Sequence, residues 1–458
     1  MESPAITYRD HARALLRLGM PLVLSHVAQF AIFMTDALML GWYSVTALAA
    51  SAIGGTFFFL TFIVGSGFAQ AVTPLAAEAA EQGNEQGVRR ATRMGMWLSA
   101  IYGAFIMIPF FWAEEILLAI GQDLAVAALG QDYLRIVGFS MIPALLVMTM
   151  KSFLAAIERT AIILWATFGM ALLNAIINYA LIFGNWGAPE LGIQGAAIAS
   201  LTITVLTLVI LMVYALRETP QYRLLQNIFA PDQEVMAKVF ALGWPIGLTA
   251  LAEGGLFSAS TTMMGWLGAV PQAAHGIALQ LSGMTFMFHL GLSQAATVRV
   301  GRAWARGDTQ NLRRGAIVAC FLSAGFGCLT MLVFWAIPGL LVAGFVDGTT
   351  VDGAAVVAIG ISLLLVSAMF QVVDGLQAMA LGMLRGLQDT QVPMVIAIVS
   401  YWGVGLPVSL WLGFGLGWGG VGVWLGLVAG LLVAAILLMQ RFWRHKAIWT
   451  DVQPSALA

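Results

Sequence analysis

The chain has 458 residues, of which 60% are hydrophobic and only 9% are charged, and its formal net charge is −1. A soluble domain carries about 25% charged residues, so this composition excludes a soluble globular protein and indicates an all-α polytopic membrane protein. No tract of basic residues predicts a nucleic-acid partner, and the partner that the composition implies is the lipid bilayer.

Apolar runs long enough to span a bilayer, which takes about 20 helical residues, occur twelve times along the chain. In chain order they lie at residues 17–43, 47–74, 91–113, 125–150, 160–184, 191–216, 238–265, 270–298, 314–337, 353–382, 391–413 and 418–442. The polar segment before the first run is not typical of a cleaved signal peptide. The chain is therefore predicted to have twelve transmembrane helices.

Basic residues are concentrated in alternate connections between these runs. All of the 21 Lys and Arg residues except Arg135 fall in the N-terminal segment, in the even-numbered connections or in the tail, with Arg385 placed in the tenth connection. The opposite connections carry acids, among them Asp347. Because basic connections stay on the cytoplasmic side of a membrane, both termini are predicted to be cytoplasmic.

The second half of the chain repeats the first at an offset of 224 residues. The motif Leu18-Gly19-x-Pro21 corresponds to Leu242-Gly243-x-Pro245, and Arg89-Arg90 corresponds to Arg313-Arg314. Two halves of six helices each point the same way through a membrane, with a substrate cavity expected between them. The predicted parts are an N-terminal lobe (1–216), a cytoplasmic linker (217–237), a C-terminal lobe (238–446) and a cytoplasmic tail (447–458).

Three acids lie inside apolar runs: Asp36 in the first, Glu253 in the seventh and Asp374 in the tenth. None has a basic residue within one helical turn of its own helix. An acid at membrane depth is costly unless it faces protein or water, so a functional site is the default interpretation, although each acid could instead be protonated and bonded to a neighbouring helix. A carboxylate in such a place can bind a proton or a cation, so the two can compete for it.

Two asparagines, Asn174 and Asn178, are four residues apart and therefore share one face of the fifth predicted helix. Their amide oxygens could complete a cation cage or a hydrogen-bond network around Asp36, or they could form an ordinary polar contact between helices. Weaker polar candidates are Gln280, Gln294, Gln371 and Gln377. Candidates for the substrate cavity are Phe257, Gln29, Gln280, Met284 and Phe370, since adaptable Met and Phe side chains are typical of promiscuous sites.

Motifs of the common enzyme classes were not found. The chain contains neither a P-loop nor an HExxH motif, and no nucleophile and base are suitably spaced. The expected protein is therefore not an enzyme, and it needs no cofactor apart from a coupling ion, Na⁺ or H⁺. A channel or a membrane-embedded enzyme is disfavoured by the repeat and by the missing motifs.

Several short motifs together resemble one family. They are the paired L-G-x-P starts, Thr35-Asp36-x-x-Met39-x-Gly41, Ala252-Glu253, Val373-Asp374-Gly375 and Leu384-Arg385-Gly386. With the repeat, they make nearly the whole chain similar to the multidrug and toxic compound extrusion (MATE) transporters, and within them to the NorM-type branch.

This resemblance implies a V-shaped fold of two pseudo-symmetric six-helix bundles that opens alternately to each side of a bacterial inner membrane. It implies a monomer that exports small-molecule drugs, such as dyes and fluoroquinolones, in exchange for inward Na⁺ or H⁺. It also implies a cation site at Glu253 and Asp374 with Phe257 nearby, and a second site at Asp36 with Asn174 and Asn178. The alternative is a lipid-linked oligosaccharide flippase of the same superfamily.

Overall fold

A computed structural model of the chain describes residues 7–346 and 350–449. The predicted loop acid Asp347 and nearly all of the predicted tail 447–458 lie outside the described residues. In the first half of the chain the α-helices are α1 (Tyr8–Tyr43), α2 (Val45–Glu81), α3 (Glu85–Met107), α4 (Ala113–Ala119), α5 (Leu124–Val137), α6 (Met141–Ala156), α7 (Ala161–Phe183) and α8 (Ile193–Glu218). Short 3-10 helices at Ile108–Trp112 and Gly138–Ser140 connect α3 to α4 and α5 to α6.

The second half has the same plan. Its α-helices are α9 (Gln233–Trp266), α10 (Ala269–Ala305), α11 (Thr309–Ala336), α12 (Pro338–Ala343), α13 (Val351–Gly386), α14 (Gln391–Ile398), α15 (Leu406–Leu410) and α16 (Gly419–Arg444). Between α14 and α16 the predicted run 391–413 is interrupted by two π-helical segments, Val399–Gly405 and Trp411–Gly415.

Eleven helical segments in the described residues are long and apolar enough to cross a membrane. The remaining predicted run, 270–298, lies within the 37-residue helix α10, but polar side chains such as Gln272, His275 and His289 make it less apolar than the others. Helix α10 nevertheless has the length needed to span a bilayer. The chain is thus an all-α, multi-pass membrane protein.

The repeat is visible in the turns that begin the third helix of each half. Gly83 and Gly307 both have φ +68°, a left-handed conformation that favours glycine. The next residue caps the following helix in each case: Gly87 N–H donates to Asn84 Oδ1 at 2.8 Å, and Asn311 N–H donates to Asp308 Oδ1 at 3.0 Å. The two halves therefore share local geometry as well as sequence.

Packing divides the chain into two compact units. The first-half unit contains Leu24–Gly247, and the second-half unit contains the described residues up to Val23 and those from Leu248 onward. The starts of α1 and α9 thus pack with helices of the opposite half of the chain. The lobes predicted at 1–216 and 238–446 follow the order of the repeat and remain a prediction.

Glycines at corresponding positions of the two halves explain why the start of α1 and the start of α9 each pack in the unit of the opposite half. In the first-half unit a side chain at Gly67 on α2 would clash with the backbone of Gly243 and Gly247 at the start of α9. In the second-half unit a side chain at Gly291 on α10 would clash with the backbone of Val23 at the start of α1. Each close approach of two helices requires a residue without a side chain, and the repeat supplies one at the same place in each half.

The linker between the halves is bonded to α3 within the first-half unit. Arg90 Nη2 donates to Asp232 Oδ1 at 3.0 Å, and Arg93 Nη1 donates to the Asn227 carbonyl oxygen at 3.0 Å. The indole Nε1 of Trp97 donates to the Ile228 carbonyl oxygen at 2.7 Å. Three successive turns of α3 therefore hold the end of the linker, just before α9 begins.

Replacing Asp232 by asparagine should destabilise the protein by about 1 kcal/mol near neutral pH, the usual contribution of such a hydrogen bond. The Arg90 guanidinium holds the pKa of Asp232 below its usual value, so this stability is present above the ordinary aspartate pKa and is lost as pH falls through the lowered one. Thermal unfolding of the purified protein at neutral and acid pH measures the difference. Arg90→Met should lower the free energy of unfolding by a similar amount. If the double variant loses the sum of the two single losses, the interaction between Arg90 and Asp232 contributes nothing.

Candidate functional site

Asp36 on α1 is hydrogen bonded to two other helices of the first-half unit. Asn178 Nδ2 on α7 donates to Asp36 Oδ1 at 2.5 Å, and Ser200 Oγ on α8 donates to Asp36 Oδ2 at 3.2 Å. Asn178 also donates to Asn174 Oδ1, one turn earlier, at 3.1 Å. Both asparagines are fully buried. The structure therefore brings together the three residues that the sequence grouped.

Two further members of this cluster were missed by sequence reasoning. Ser200 accounts for the second oxygen of Asp36, and Tyr133 on α5 interacts electrostatically with the same carboxyl group. Serine and tyrosine are ordinary residues in membrane helices, and neither has a spacing that links it to Asp36. Only the packing of α5 and α8 in the first-half unit reveals them.

The other two acids meet in the second-half unit. Asp374 on α13 is only 3% exposed, and Glu253 on α9 is half-buried. Their carboxyl groups interact electrostatically although the two residues are far apart in sequence. The two acids predicted as a cation site thus lie within electrostatic range of each other.

A basic residue joins this pair. Arg385, which the sequence analysis counted with the tenth connection, lies in the last turn of α13 and is half-buried. Its guanidinium interacts electrostatically with Glu253. Glu253 therefore has no basic neighbour within one turn of its own helix, but α13 supplies a positive charge to it.

Neutral polar groups complete the cluster. Gln377 lies one turn after Asp374 on the same face of α13, and its Nε2 donates to the Tyr401 hydroxyl oxygen at 2.6 Å. Tyr401 is fully buried and interacts electrostatically with both acids. The sequence identified Gln377 only as a weak candidate and gave no signal for Tyr401, which lies in a π-helical segment.

Two oxygen atoms in this cluster are suited to a cation. Asp374 Oδ1 and Gln377 Oε1 are buried, and neither accepts a hydrogen bond from the described residues. Oxygen ligands of this kind suit a hard cation such as Na⁺. No group of three or more His, Cys, Asp or Glu side chains in residues 7–346 and 350–449 is placed to hold a metal ion, so Na⁺ would depend on neutral oxygens as well as on the two acids.

The residues predicted for a substrate cavity are distributed unevenly. Phe257 and Phe370 contact each other edge to face, with ring centroids 5.9 Å apart, and Phe370 similarly contacts Trp424 at 5.8 Å. Met284 is 50% exposed and Gln280 is half-buried, both in the second-half unit, whereas Gln29 is exposed in the first-half unit. The structure thus brings together only the two phenylalanines, and the role of all five remains a prediction.

Comparison with known proteins gives the family. The MatE family model matches residues 21–180 and 245–411, two segments whose starts have the same offset as the repeat. The chain is 42% identical over 435 residues to the probable multidrug resistance protein NorM of Agrobacterium fabrum, covering 94% of both chains. It is 44% identical over 441 residues to the protein of the same name from Rhizobium meliloti, covering 96% of this chain and 94% of that one.

A solved structure agrees with the fold. The crystal structure of the eukaryotic MATE transporter AtDTX14 matches with a TM-score of 0.87 over 97% of this chain and 98% of that chain, at 18% sequence identity. This similarity confirms the predicted all-α transporter fold, and the family match and the NorM relatives confirm the resemblance on which that prediction rested. The chain therefore belongs to the MatE family.

Proposed function

We propose that this protein is a multidrug efflux antiporter, which exports bulky cationic or amphiphilic compounds, such as dyes and fluoroquinolones, in exchange for inward Na⁺ or H⁺. The relatives that match almost the whole chain are named multidrug resistance proteins, which supports drug export over the flippase alternative. The observation that carries ion coupling is the pair of acids, Glu253 and Asp374, on two membrane-spanning helices. Transport, rather than catalysis, is the activity of such a site.

The charges of the second-half cluster suit a single coupling cation. Glu253 and Asp374 together carry two negative charges when ionised, and Arg385 balances one of them. The remaining negative charge would be costly inside a membrane, so a proton or one Na⁺ is favoured there. Binding of the ion here would disfavour the conformation that binds the drug, and this opposition would couple the two fluxes.

The Asp36 cluster of the first-half unit is the second proposed ion site. Its carboxylate already accepts hydrogen bonds from Asn178 and Ser200, and within residues 7–346 and 350–449 no positively charged group interacts with it. Such a site is suited to taking up a proton or a small cation directly. We propose that it contributes to coupling alongside Glu253 and Asp374.

The cellular setting is also part of the proposal. The basic residues of the even-numbered connections favour cytoplasmic termini by the positive-inside rule. The relatives come from bacteria, which supports an inner-membrane protein, and we propose that it works as a monomer.

Dye efflux from proteoliposomes tests this function. Purified protein is reconstituted with a trapped fluorescent cationic dye, and efflux is recorded under an inward Na⁺ gradient, under an inward pH gradient and under neither. We expect one of the two gradients to accelerate efflux beyond that of protein-free liposomes. Equal rates under all three conditions would contradict ion-coupled export, and the gradient that works identifies the coupling ion.

A further inference from the structure

The π-helical segment Val399–Gly405 interrupts a membrane helix beside the acid pair. Pro407 explains the interruption, because it has no N–H to donate to the carbonyl group of Gly403, four residues earlier. A π-helical turn changes the direction in which successive side chains point, and such turns are frequent at functional sites. Two large residues of this segment, Tyr401 and Trp402, contact the helices that carry the acids.

Trp402 contacts the turn of α9 that contains Glu253. Its indole Nε1 donates to the Ala252 carbonyl oxygen at 3.1 Å, and Ala252 directly precedes Glu253. The ring also packs on Gly255, where a Cβ atom would lie only 2.8 Å from it. Trp402 therefore holds the backbone on both sides of Glu253.

Tyr401 contacts the other acid-bearing helix. Its oxygen accepts a hydrogen bond from Gln377 at 2.6 Å, so its hydroxyl hydrogen remains to be donated to another group. Three charged groups interact electrostatically with this hydroxyl. They are Glu253 on α9 and Asp374 and Arg385 on α13. A carboxylate is the acceptor that such a buried donor favours most.

We propose that Tyr401 and Trp402 are positioning residues, which hold Glu253 and Asp374 at the separation that binds the coupling ion. Consecutive residues of a helix point about 100° apart, so Tyr401 and Trp402 reach two different helices from one turn of this segment. The inference rests on the proposed function, since it assumes that these acids bind the ion.

Binding of ethidium, a fluorescent cationic dye, to the purified protein tests the proposal without requiring transport. Dye bound at equilibrium is measured while Na⁺ is titrated at fixed pH, and separately while pH is lowered without Na⁺. Tyr401→Phe removes the hydroxyl that accepts the Gln377 hydrogen bond and interacts electrostatically with both acids, so we expect the ion concentration that halves bound dye to rise about fivefold to tenfold. Trp402→Phe should shift it in the same direction, with the dye affinity in the absence of ion unchanged in both variants.

Matched variants separate positioning from general packing. Tyr102→Phe removes a hydroxyl that donates to the Thr61 carbonyl oxygen at 2.7 Å, far from these acids in sequence and in the other unit. Trp335→Phe removes an indole bond to the Leu365 carbonyl oxygen at 3.1 Å, and Trp335 and Trp402 are similarly exposed, at 46% and 41%. Neither control should change the ion response.

The outcomes also separate this inference from the function on which it rests. If Glu253→Gln loses the ion response while Tyr401→Phe responds like wild type, the acids act without positioning and the inference is wrong. If Glu253→Gln responds like wild type, the ion does not bind at Glu253, so both the proposed ion site there and this inference are wrong. A parallel loss of dye affinity and ion response in Tyr401→Phe would also overturn the inference, because it would indicate a general packing defect.

Discussion

Glu253→Gln should abolish gradient-driven dye efflux while leaving the protein folded and able to bind dye. Glutamine keeps the size of the side chain but removes its charge, so the cluster retains one acid, Asp374, and one base, Arg385, and its net charge no longer requires a coupling ion. Loss of one interaction with a charged group costs about 1.5–3 kcal/mol, which corresponds to a fall in ion affinity of about 10- to 100-fold. Efflux should therefore fall to the rate of liposomes without a gradient.

Three measurements make this result specific. Thermal unfolding shows whether the variant is folded, ethidium binding shows whether the drug site is intact, and efflux shows whether coupling remains. Glu115→Gln, which changes an exposed acid of the first half of the chain, should leave all three as in wild type. Efflux of Glu253→Gln at the wild-type rate, driven by the same gradient, would rule out the proposed role of this residue.

Asp36→Asn and Asp36→Ala should differ in thermal stability but show the same loss of ion-driven efflux. Asparagine keeps the shape and one acceptor oxygen, whereas alanine leaves the buried amide of Asn178 with one hydrogen bond fewer. An orphaned buried polar group costs about 1–3 kcal/mol, so only the alanine variant should show a clearly lower melting temperature. Both variants lack the negative charge, and both should lose most of the ion-driven efflux.

Asp132→Asn is the matched control for this prediction. Asp132 is a half-buried acid of the same unit, and its Oδ2 accepts a hydrogen bond from Gln194 at 3.2 Å. We expect its loss to change stability little and efflux not at all. Full ion-driven efflux by Asp36→Asn would show that the Asp36 cluster serves only the packing of its helices.

The two clusters differ in how far they could be predicted from the sequence. Asn174 and Asn178 were grouped with Asp36 correctly because helical spacing places both amides on one face, and the structure bonds them directly. Glu253 and Asp374 were paired through the family resemblance, and the structure places their carboxyl groups within electrostatic range. Acids are easy to find in a membrane protein because an apolar run makes every charge conspicuous.

The supporting residues of these clusters escaped prediction for a related reason. Ser200, Tyr133 and Tyr401 are neutral, so nothing distinguishes them from the other polar residues of the apolar runs. Arg385 follows the tenth apolar run closely and was therefore counted with a connection, although α13 continues to Gly386. A long side chain at a helix end can reach groups deeper in the protein, and the sequence does not record its direction.

By itself, the sequence determined the class of this protein, its helices, its repeat and its three membrane acids, because hydropathy, charge and glycine positions act locally along the chain. The tertiary structure decided which residues surround those acids and which helix ends pack into which unit. Contacts such as Trp402 with Ala252, or Gly67 with Gly243, join residues more than a hundred positions apart. Their formation depends on how the helices pack, and a pattern read along one helix does not contain that information.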